Sequence, residues 1–553
     1  MNKLKKIIAQ RLDLSELDFT YPPNKEWGDL SFPLFKISQE KKISVQDLSK
    51  KISEDIAEDK ELNKIVEKVE LKGAYLNFFI TNNYLFSQVF FNIFENKDNY
   101  GHNQDGDSEV AVFEYSNVNT HKSFHIGHLR NVCLGQSIVN IFSANGYKAH
   151  PVSYINDFGV HTAKAVWSYK RKYSENLNKC YANTVQEIKK NPDIAIEVTE
   201  IMTNIEKRKG DDYNTWKKTR RQSLREFKEV YKLLKVNFKK TYFESEVIDR
   251  GFSVVEELIN KKILVKSQGA IIADLESHNL GVLPVIRSDG TALYPVADLA
   301  LAEYKNRDFK NLKYSYIIVD VRQSLHFQQL FKVLSLAGAK QDFFHLPYEF
   351  ITLPDGMLSS RSGNAISFFE VYQKVYEKLK LETKKRQARW SDRKINKNCH
   401  KLAVAILKFE MIKVATKKII TFDINRATEF EGFSALYVLY GLVRIKSILR
   451  KGDFRSRSKT DFSLLQDKLE KDIIIKLSKY PETIKKARQD YDPSEVAKYL
   501  FELVKTFNDY YQNVKVITNE QNLKKSRLKF LYAISLVIEN GLKILDIEVV
   551  KEI

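Results

Sequence analysis

The stretch from Glu109 to Asp157 constrains the fold more than any other part of the chain. It reads EVAVFEY, then a polar run SNVNTHKSF, then HIGHLRNVCLGQSIVNIFSANG, and after three residues HPVSYIND. The first and last pieces are short, apolar and rich in β-branched and aromatic residues, the pattern of buried strands. Between them Leu129, Val132, Gln136, Val139 and Phe142 recur at helical spacing, and Asn145–Gly146 supplies a helix stop. Two strands joined through one helix lie parallel, with a right-handed crossover. This predicts the first unit of a doubly wound α/β sheet, which gathers ligands beyond the carboxyl ends of its strands.

The remaining chain is organised around that unit. GVLPVIRS, YSYIIVDV and YEFITL are expected to resume the sheet. The charged helical stretch from about residue 165 to 275, which includes WKKTRRQSLREFKEVYKLL, reads as an insertion. The first hundred residues form a small α/β unit: YPPNKEWGDLSF is turn-rich, SVQDLSKKISEDIAEDKEL helical, and VELKGAYLNFFI alternates like a strand. Polar GHNQDGDSE (101–109) reads as a linker. From about 395 the chain is almost wholly helical. Asp492 is expected as an N-cap, with Pro493 in the first turn and Glu495 closing a capping box. Val496, Leu500, Val504, Phe507 and Tyr511 would make one apolar stripe behind it. The predicted division is therefore 1–105, 106–390 and 391–553.

Charge is uneven along the chain. The whole has 90 Lys and Arg against 70 Asp and Glu, a net +20. Residues 1–100 hold 15 basic and 16 acidic residues, a net −1, whereas 391–553 hold 32 and 21, a net +11. A polyanion such as nucleic acid suits the last two-thirds, as do solvated lysine faces in a lysine-rich chain. No window approaches the roughly 18 uninterrupted apolar residues of a membrane helix. The N-terminal apolar stretch stops at Gln10, Arg11 and Asp13, so no signal peptide is expected. Cys133, Cys180 and Cys399 lie too far apart for a CxxC zinc site or a disulfide framework, which predicts a reduced, cytoplasmic protein without zinc.

Three groups of residues carry chemistry. His125 and His128 are three apart at a helix start, so both imidazoles face one side, and Gly127 between them leaves room for a flat ring against the backbone. The N–H groups of that helix end favour phosphate. Together these suit adenylyl transfer, with Lys122 and Arg130 adding charge. On spacing alone the histidines also fit a metal pair or a plain surface. The second group is LPDGMLSSRSGN (353–364), a loop of hydroxyl and amide donors with Arg361 as its fixed charge, fit to close over a polyphosphate or to be a surface turn. Third come Glu114, Asn119, Tyr294, Asp298 and Gln323 near strand ends, where two carboxylates could hold an ammonium and a guanidinium.

FEYSNVNTHKSFHIGHLRN resembles the class I aminoacyl-tRNA synthetases and, within them, the arginyl-tRNA synthetase family, which typically carries a Ser-x-x-Asn-x-x-Lys run before its HIGH signature. RSDGTALYPVADLALAEYK, VDVRQSLHFQQLF, EGFSALYVLYGLVRIKSILRK and the FNDYYQNVKV…RLKFLYAISLVIENGLKIL ending resemble the same family, and NKEWGDLSFPLFKIS with KGAYLNFFI resembles its N-terminal domain. The resemblance implies a multi-domain α/β plus α protein: a small α/β N-terminal tRNA-contacting domain, a Rossmann-type catalytic domain with a helical insertion, and a helical anticodon-binding bundle. It implies ligation of L-arginine to the 3′-terminal adenosine of tRNA(Arg) through an arginyl-adenylate, with ATP and Mg2+ as the substrate complex, no organic prosthetic group, and a monomer.

Residue by residue, the resemblance gives Glu114, Asn119, Tyr294, Asp298 and Gln323 to arginine. The HIGH region runs over Val118, Asn119, Lys122, His125, Ile126, Gly127 and His128, with both histidines on the triphosphate and Gly127 under adenine. Met357, Leu358, Ser359, Ser360 and Arg361 occupy the family's mobile KMSKS-type loop. There Met357, Leu358 and Ser360 depart from the signature, and Lys122 matches the upstream lysine thought to take over, so Lys122 and Arg361 are expected to meet the leaving pyrophosphate. A proline that often precedes the asparagine is missing at Asn117–Val118. Trp27 is expected at the outer corner of the tRNA. Tyr510 and Tyr511 are candidates for stacking on unpaired bases, with core packing the expected role of Tyr511 on its apolar stripe.

Overall fold

Val110–Glu114 (β1), Ile126–Ala144 (α1) and Lys148–Ile155 (β2) form the anticipated unit, with β1 and β2 parallel from Val110↔Lys148 to Glu114↔Val152. The structure is a computed structural model that describes residues 1–354, 356–357, 366–457 and 460–553. Helix α1 is nearly enclosed: Leu129, Val132, Ile138 and Phe142 are among its buried residues, each contributing roughly 1.5–3 kcal/mol of apolar burial. Gln136, placed on the apolar stripe by its spacing, instead accepts the Tyr115 hydroxyl at 2.9 Å. The helix ends at Asn145, and Gly146 follows with φ +85°, the left-handed turn that glycine adopts without strain. Residues 103–108, expected as a free linker, pack on this end: the Asn103 and Gly106 amides donate to Ala144 and Asn145.

The elements that continue from β2 build the site. They are Leu177–Lys190 (α2), Gly210–Leu234 (α3), Lys240–Phe243 (β3), Glu244–Asn260 (α4), Tyr294–Asp308 (α5), Leu312–Asp320 (β4), Ser324–Leu336 (α6) and Asp342–Tyr348 (β5). The sheet has the order β5-β4-β1-β2-β3 and every pairing is parallel. The order reverses direction between β1 and β4, the crevice where such sheets bind ligands.

Three expectations change here. The helical insertion ends at Leu234, because β3, inside the predicted 165–275 span, is an edge strand of the main sheet. GVLPVIRS does not join that sheet: Val282–Ile286 pairs antiparallel in a separate three-stranded sheet. YEFITL is split, with Tyr348 ending β5 and Ile351–Leu353 (β6) pairing with Ile420–Thr421 (β7).

Two compact units are interleaved along the chain. One comprises Met1–Gly101, Tyr440–Thr483 and Tyr499–Gly541; the other comprises His102–Leu439, Ile484–Lys498 and Leu542–Ile553. In the first, Leu30–Pro33, Tyr75–Ile80 and Val66–Lys72 form an antiparallel sheet, so VELKGAYLNFFI is a hairpin turning at Gly73 and not one strand. The helix Val45–Glu58 is capped by Ser44, whose hydroxyl accepts the Asp47 amide at 3.0 Å. In the second, Asp492 accepts the Ser494 amide at 2.9 Å, but the Glu495 carboxylate binds Lys486 at 2.6 Å and Lys498 at 3.1 Å, so the predicted capping box does not close.

The final segment belongs to the sheet-bearing unit. Lys408, buried on the helix Asp392–Ile412 (α7), donates to the Leu234 carbonyl at 2.6 Å, to the Asp546 carbonyl at 2.8 Å and to the Asp546 carboxylate at 2.5 Å. Asn140 on α1 reaches the Lys543 and Ile544 carbonyls at 3.3 and 3.2 Å. A buried ammonium is tolerated only with such complete compensation.

Candidate active site

The loop from β1 to α1 is held in an unusual backbone shape. Ser116 (φ 61°) and His121 (φ 64°) are both left-handed, a conformation that costs about 1–3 kcal/mol and persists only where surroundings enforce it. Ser116 donates its amide to Asn131 on α1 and shares its hydroxyl with Tyr231 at 2.7 Å. His121 is buried between Thr120 (2.9 Å) and Thr219 (2.8 Å), and its amide donates to Ser223 at 2.9 Å. Burial drives its imidazole down to about 3, so it stays neutral. Helix α3 therefore clamps the loop. Val118 is buried, and Asn119 bridges to Asn156 beyond β2.

His125 is the N-cap of α1. Its Nδ1 accepts the Gly127 and His128 amides at 3.1 and 3.4 Å, while Nδ1 of His128 accepts the His125 amide at 3.2 Å. The rings stack with centroids 3.7 Å apart. Because each Nδ1 accepts, each neutral ring carries its proton on Nε2, a donor left for a ligand. Burial and then the Lys122 charge push His125 down to about 4; burial, His125 and Lys122 push His128 well below the usual imidazole range. The pair therefore acts through neutral N–H donors. A Cβ on Gly127 would stand 3.0 Å from Nδ1 and Cε1 of His125 and would displace that ring.

Lys122 lies over the Tyr181 ring of α2 at 4.8 Å. Arg130, expected to add charge, does not reach the site: it is fully buried and donates to the carbonyls of Phe350 (3.3 Å), Thr416 (3.3 Å) and Lys418 (3.0 Å), tying α1 to the ends of β6 and β7. Gly356–Met357 pairs with β6. The side chain of Met357, together with Leu358, Ser359, Ser360 and Arg361, lies outside the described residues. Beyond that segment Ser367 bridges to His125, and the Phe368 amide donates to Phe124 at 2.8 Å.

A group of acids meets at Tyr154 on β2. Burial first, then the carboxylates of Glu244, Asp298, Glu114 and Asp157, pushes its hydroxyl well above the ordinary range. Two of the four are compensated internally. Asp157 binds Arg220 at 2.5 Å, and Glu114 is ion-paired with buried Lys305 and accepts Asn117 Nδ2 at 2.7 Å. Glu114, expected to face arginine, thus has its charge met by Lys305 within the protein. Among the described residues Asp298 meets the His326 imidazole, Nε2 to Oδ2, at 2.9 Å. Among the described residues neither Asp298 nor Glu244 makes an ion pair with lysine or arginine. Burial, Asp157 and Asp298 raise Glu244 to about 8. Tyr294, 69% exposed, begins α5 one turn before Asp298. Gln323 is exposed in the 3₁₀ turn leaving β4. Sequence reasoning missed Glu244, His326 and Tyr181; an acid directly after a short strand was the available signal for the first.

In the other unit the tyrosines exchange their expected roles. Tyr510 is buried and donates to Glu470 at 2.9 Å, so it is a core residue and no stacking platform. Tyr511 is 43% exposed and, with Tyr440, flanks the Arg444 guanidinium at 5.0 and 4.8 Å. Asn508 accepts from Arg444 at 2.7 Å. Trp27 is 39% exposed in its 3₁₀ turn. No group of three or more His, Cys, Asp or Glu that could hold a metal ion exists among the described residues, nor is any described helix long and apolar enough to cross a membrane.

Known proteins match this architecture throughout. The model of the class I tRNA synthetase (R) catalytic domain matches residues 90–424, that of the arginyl tRNA synthetase N terminal domain residues 1–80, and that of the DALR anticodon binding domain residues 438–553. The arginine–tRNA ligase of Halothermothrix orenii is 32% identical over 571 residues, covering 99% of this chain and 98% of the relative. That of Clostridioides difficile is 29% identical, covering 95% and 93%. The arginyl-tRNA synthetase structure from Thermus thermophilus superposes with a TM-score of 0.79 at 22% identity, covering 100% of this chain and 99% of that one, and so shares its fold. Matched by all three domain models and along almost its whole length by these relatives, the chain belongs to the arginyl-tRNA synthetase family of class I aminoacyl-tRNA synthetases.

Proposed function

We propose that this chain charges tRNA(Arg) with arginine in two steps and that Asp298 and Glu244 select the amino acid. The observation that carries this reading is the pair of carboxylates that, among the described residues, have no lysine or arginine partner and face Tyr154 on β2. Burial first, then the Asp157 and Asp298 carboxylates, holds Glu244 protonated, and a guanidinium between Glu244 and Asp298 would offset the like-charge part of that shift. Tyr294, Asn119 and Gln323 would position the rest of the substrate, and Glu114 would act through the Lys305 pair.

The arginine carboxylate attacks the α-phosphorus of MgATP in line, the bond to the β-phosphate oxygen breaks, and pyrophosphate leaves with Mg2+ on its phosphates. The Nε2–H groups of His125 and His128 donate to phosphate oxygens as charge develops, and adenine lies over Gly127. Lys122 and Arg361 meet the charge of the leaving pyrophosphate. A hydroxyl of the 3′-terminal adenosine then attacks the adenylate carbonyl and AMP departs. Positioning and charge stabilisation do the catalysis, with no protein nucleophile; the three cysteines are free, buried and outside every motif.

In this reading residues 1–105 and Trp27 touch the outer corner of the tRNA, 106–390 perform the chemistry, and 391–553 bind the anticodon arm, with Tyr511 and Arg444 offering a stacking face. The protein acts as a monomer in the cytoplasm. ATP–pyrophosphate exchange across all twenty amino acids, with and without tRNA(Arg), tests it. Exchange with arginine alone, and only when tRNA is present, is expected. Exchange with another amino acid would discard the pocket assignment, and tight tRNA binding without exchange would make the chain a silent relative.

A further inference from the structure

We infer that His326 is a positioning residue for arginine recognition, holding the Asp298 carboxylate in the plane that a guanidinium requires; this rests on the assignment of Asp298 to the substrate. Asp298 stands on α5 one turn after Tyr294, and Nε2 of His326 meets its Oδ2 at 2.9 Å. His326 lies in the first turn of α6, three residues after Gln323, so one hydrogen bond joins the two elements expected to face the amino acid. Both side chains are partly exposed, at 25% and 16%. The imidazole stands edge-on to buried Phe327, with centroids 5.0 Å apart at 74°, and Phe327 in turn lies 5.2 Å from His345.

The physical need for such a residue follows from the carboxylate's own freedom. The terminal torsion of aspartate is broad and nearly two-fold, so an untethered carboxylate samples many planes. A guanidinium is planar and gains its advantage over an ammonium from two parallel N–H···O bonds, which require a defined plane. Tethering Oδ2 to the ring through one lone pair sets that plane and leaves Oδ1 and the second lone pair of Oδ2 for the guanidinium. Lys305 compensates Glu114 and Arg220 compensates Asp157 with full charges. At Asp298 an imidazole serves instead, which orients the acid without occupying it with a permanent cation.

Exchange kinetics on the full-length protein with tRNA(Arg) test the inference. H326A is expected to raise the arginine KM about tenfold while kcat and the ATP KM stay within twofold. H326Q, whose amide N–H also reaches Oδ2, should return the KM to within threefold of the parent. The double variant H326A/D298N should be no worse than D298N, since the histidine acts through the acid. Equal losses in kcat, ATP KM and arginine KM, no rescue by glutamine, or additive losses in the double variant would overturn the role. An unchanged arginine KM in D298N would refute the pocket assignment and this inference with it. A raised KM in D298N beside an unchanged one in H326A would refute this inference alone. If the alanine variant does not fold, H326N, too short to reach Oδ2, is expected to show the same selective KM loss.

Discussion

Arginine binding is expected to expel a proton from Glu244. Its carboxyl is raised to about 8, first by burial and then by the Asp157 and Asp298 carboxylates, while the Phe158 backbone opposes the shift. About nine in ten molecules therefore hold the proton at pH 7, and about half at pH 8. If only the ionised form grips a guanidinium, the apparent Kd scales as one plus the ratio of protonated to ionised forms. Binding then tightens about ninefold from pH 6 to 7 and about fivefold from pH 7 to 8. Calorimetry of arginine binding in phosphate and in Tris reads the same event as heat, with roughly 0.9 proton released at pH 7. Glu244→Gln should bind arginine more weakly, with neither the pH slope nor the buffer dependence. An affinity flat between pH 6 and 8, with heats independent of buffer, would refute the reasoning. The sign for the empty protein runs opposite. The folded state keeps a proton that the unfolded chain has lost, so this group's contribution to stability declines as pH rises from the ordinary carboxyl range through about 8.

Lys122→Ala should lower kcat between ten- and a thousandfold in exchange assays if the lysine meets the leaving pyrophosphate; a change under twofold would return it to the solvated surface. Arg130→Met strips the Lys418 carbonyl of its donor, while the Phe350 and Thr416 carbonyls keep the Ile420 and Glu349 amides, and should cost about 1–3 kcal/mol, read as the shift of a urea unfolding midpoint. Tyr511→Ala should weaken tRNA(Arg) binding by about 1–3 kcal/mol in filter binding with the melting temperature unmoved. Tyr510→Phe should do the reverse, losing about 1 kcal/mol of stability through Glu470 while tRNA affinity holds.

What could be read in advance was local. The strand–helix–strand unit at 110–155 and the stop at Asn145–Gly146 follow from periodicity and turn chemistry confined to some fifty residues. Partnership was not legible. Val282–Ile286 and Leu312–Asp320 are both apolar strands, yet only the second joins the parallel sheet, because pairing is decided by neighbours distant in sequence. Four-residue β3 was lost among charged helices. One residue turns a helix by about 100°, and that rotation separates buried Tyr510 from exposed Tyr511. The candidate pocket draws Glu244 from α4, Asp298 from α5 and His326 from α6, so no contiguous motif announces it. Nor did the sequence disclose that Glu114 already has Lys305, since a compensated acid and an open one look alike in a string of letters.

Synthesis proceeds in one direction, and Lys408 emerges from the ribosome 138 residues before Asp546. At 5–20 residues per second that interval is roughly seven to twenty-eight seconds. Throughout it α7 carries an ammonium destined for an interior that has no counter-charge, and burying it then would be opposed by several kcal/mol. Asn140 likewise waits for the Lys543 and Ile544 carbonyls. In a nascent chain Lys408 thus has the Leu234 carbonyl but not its two Asp546 partners until the Leu542–Ile553 segment arrives.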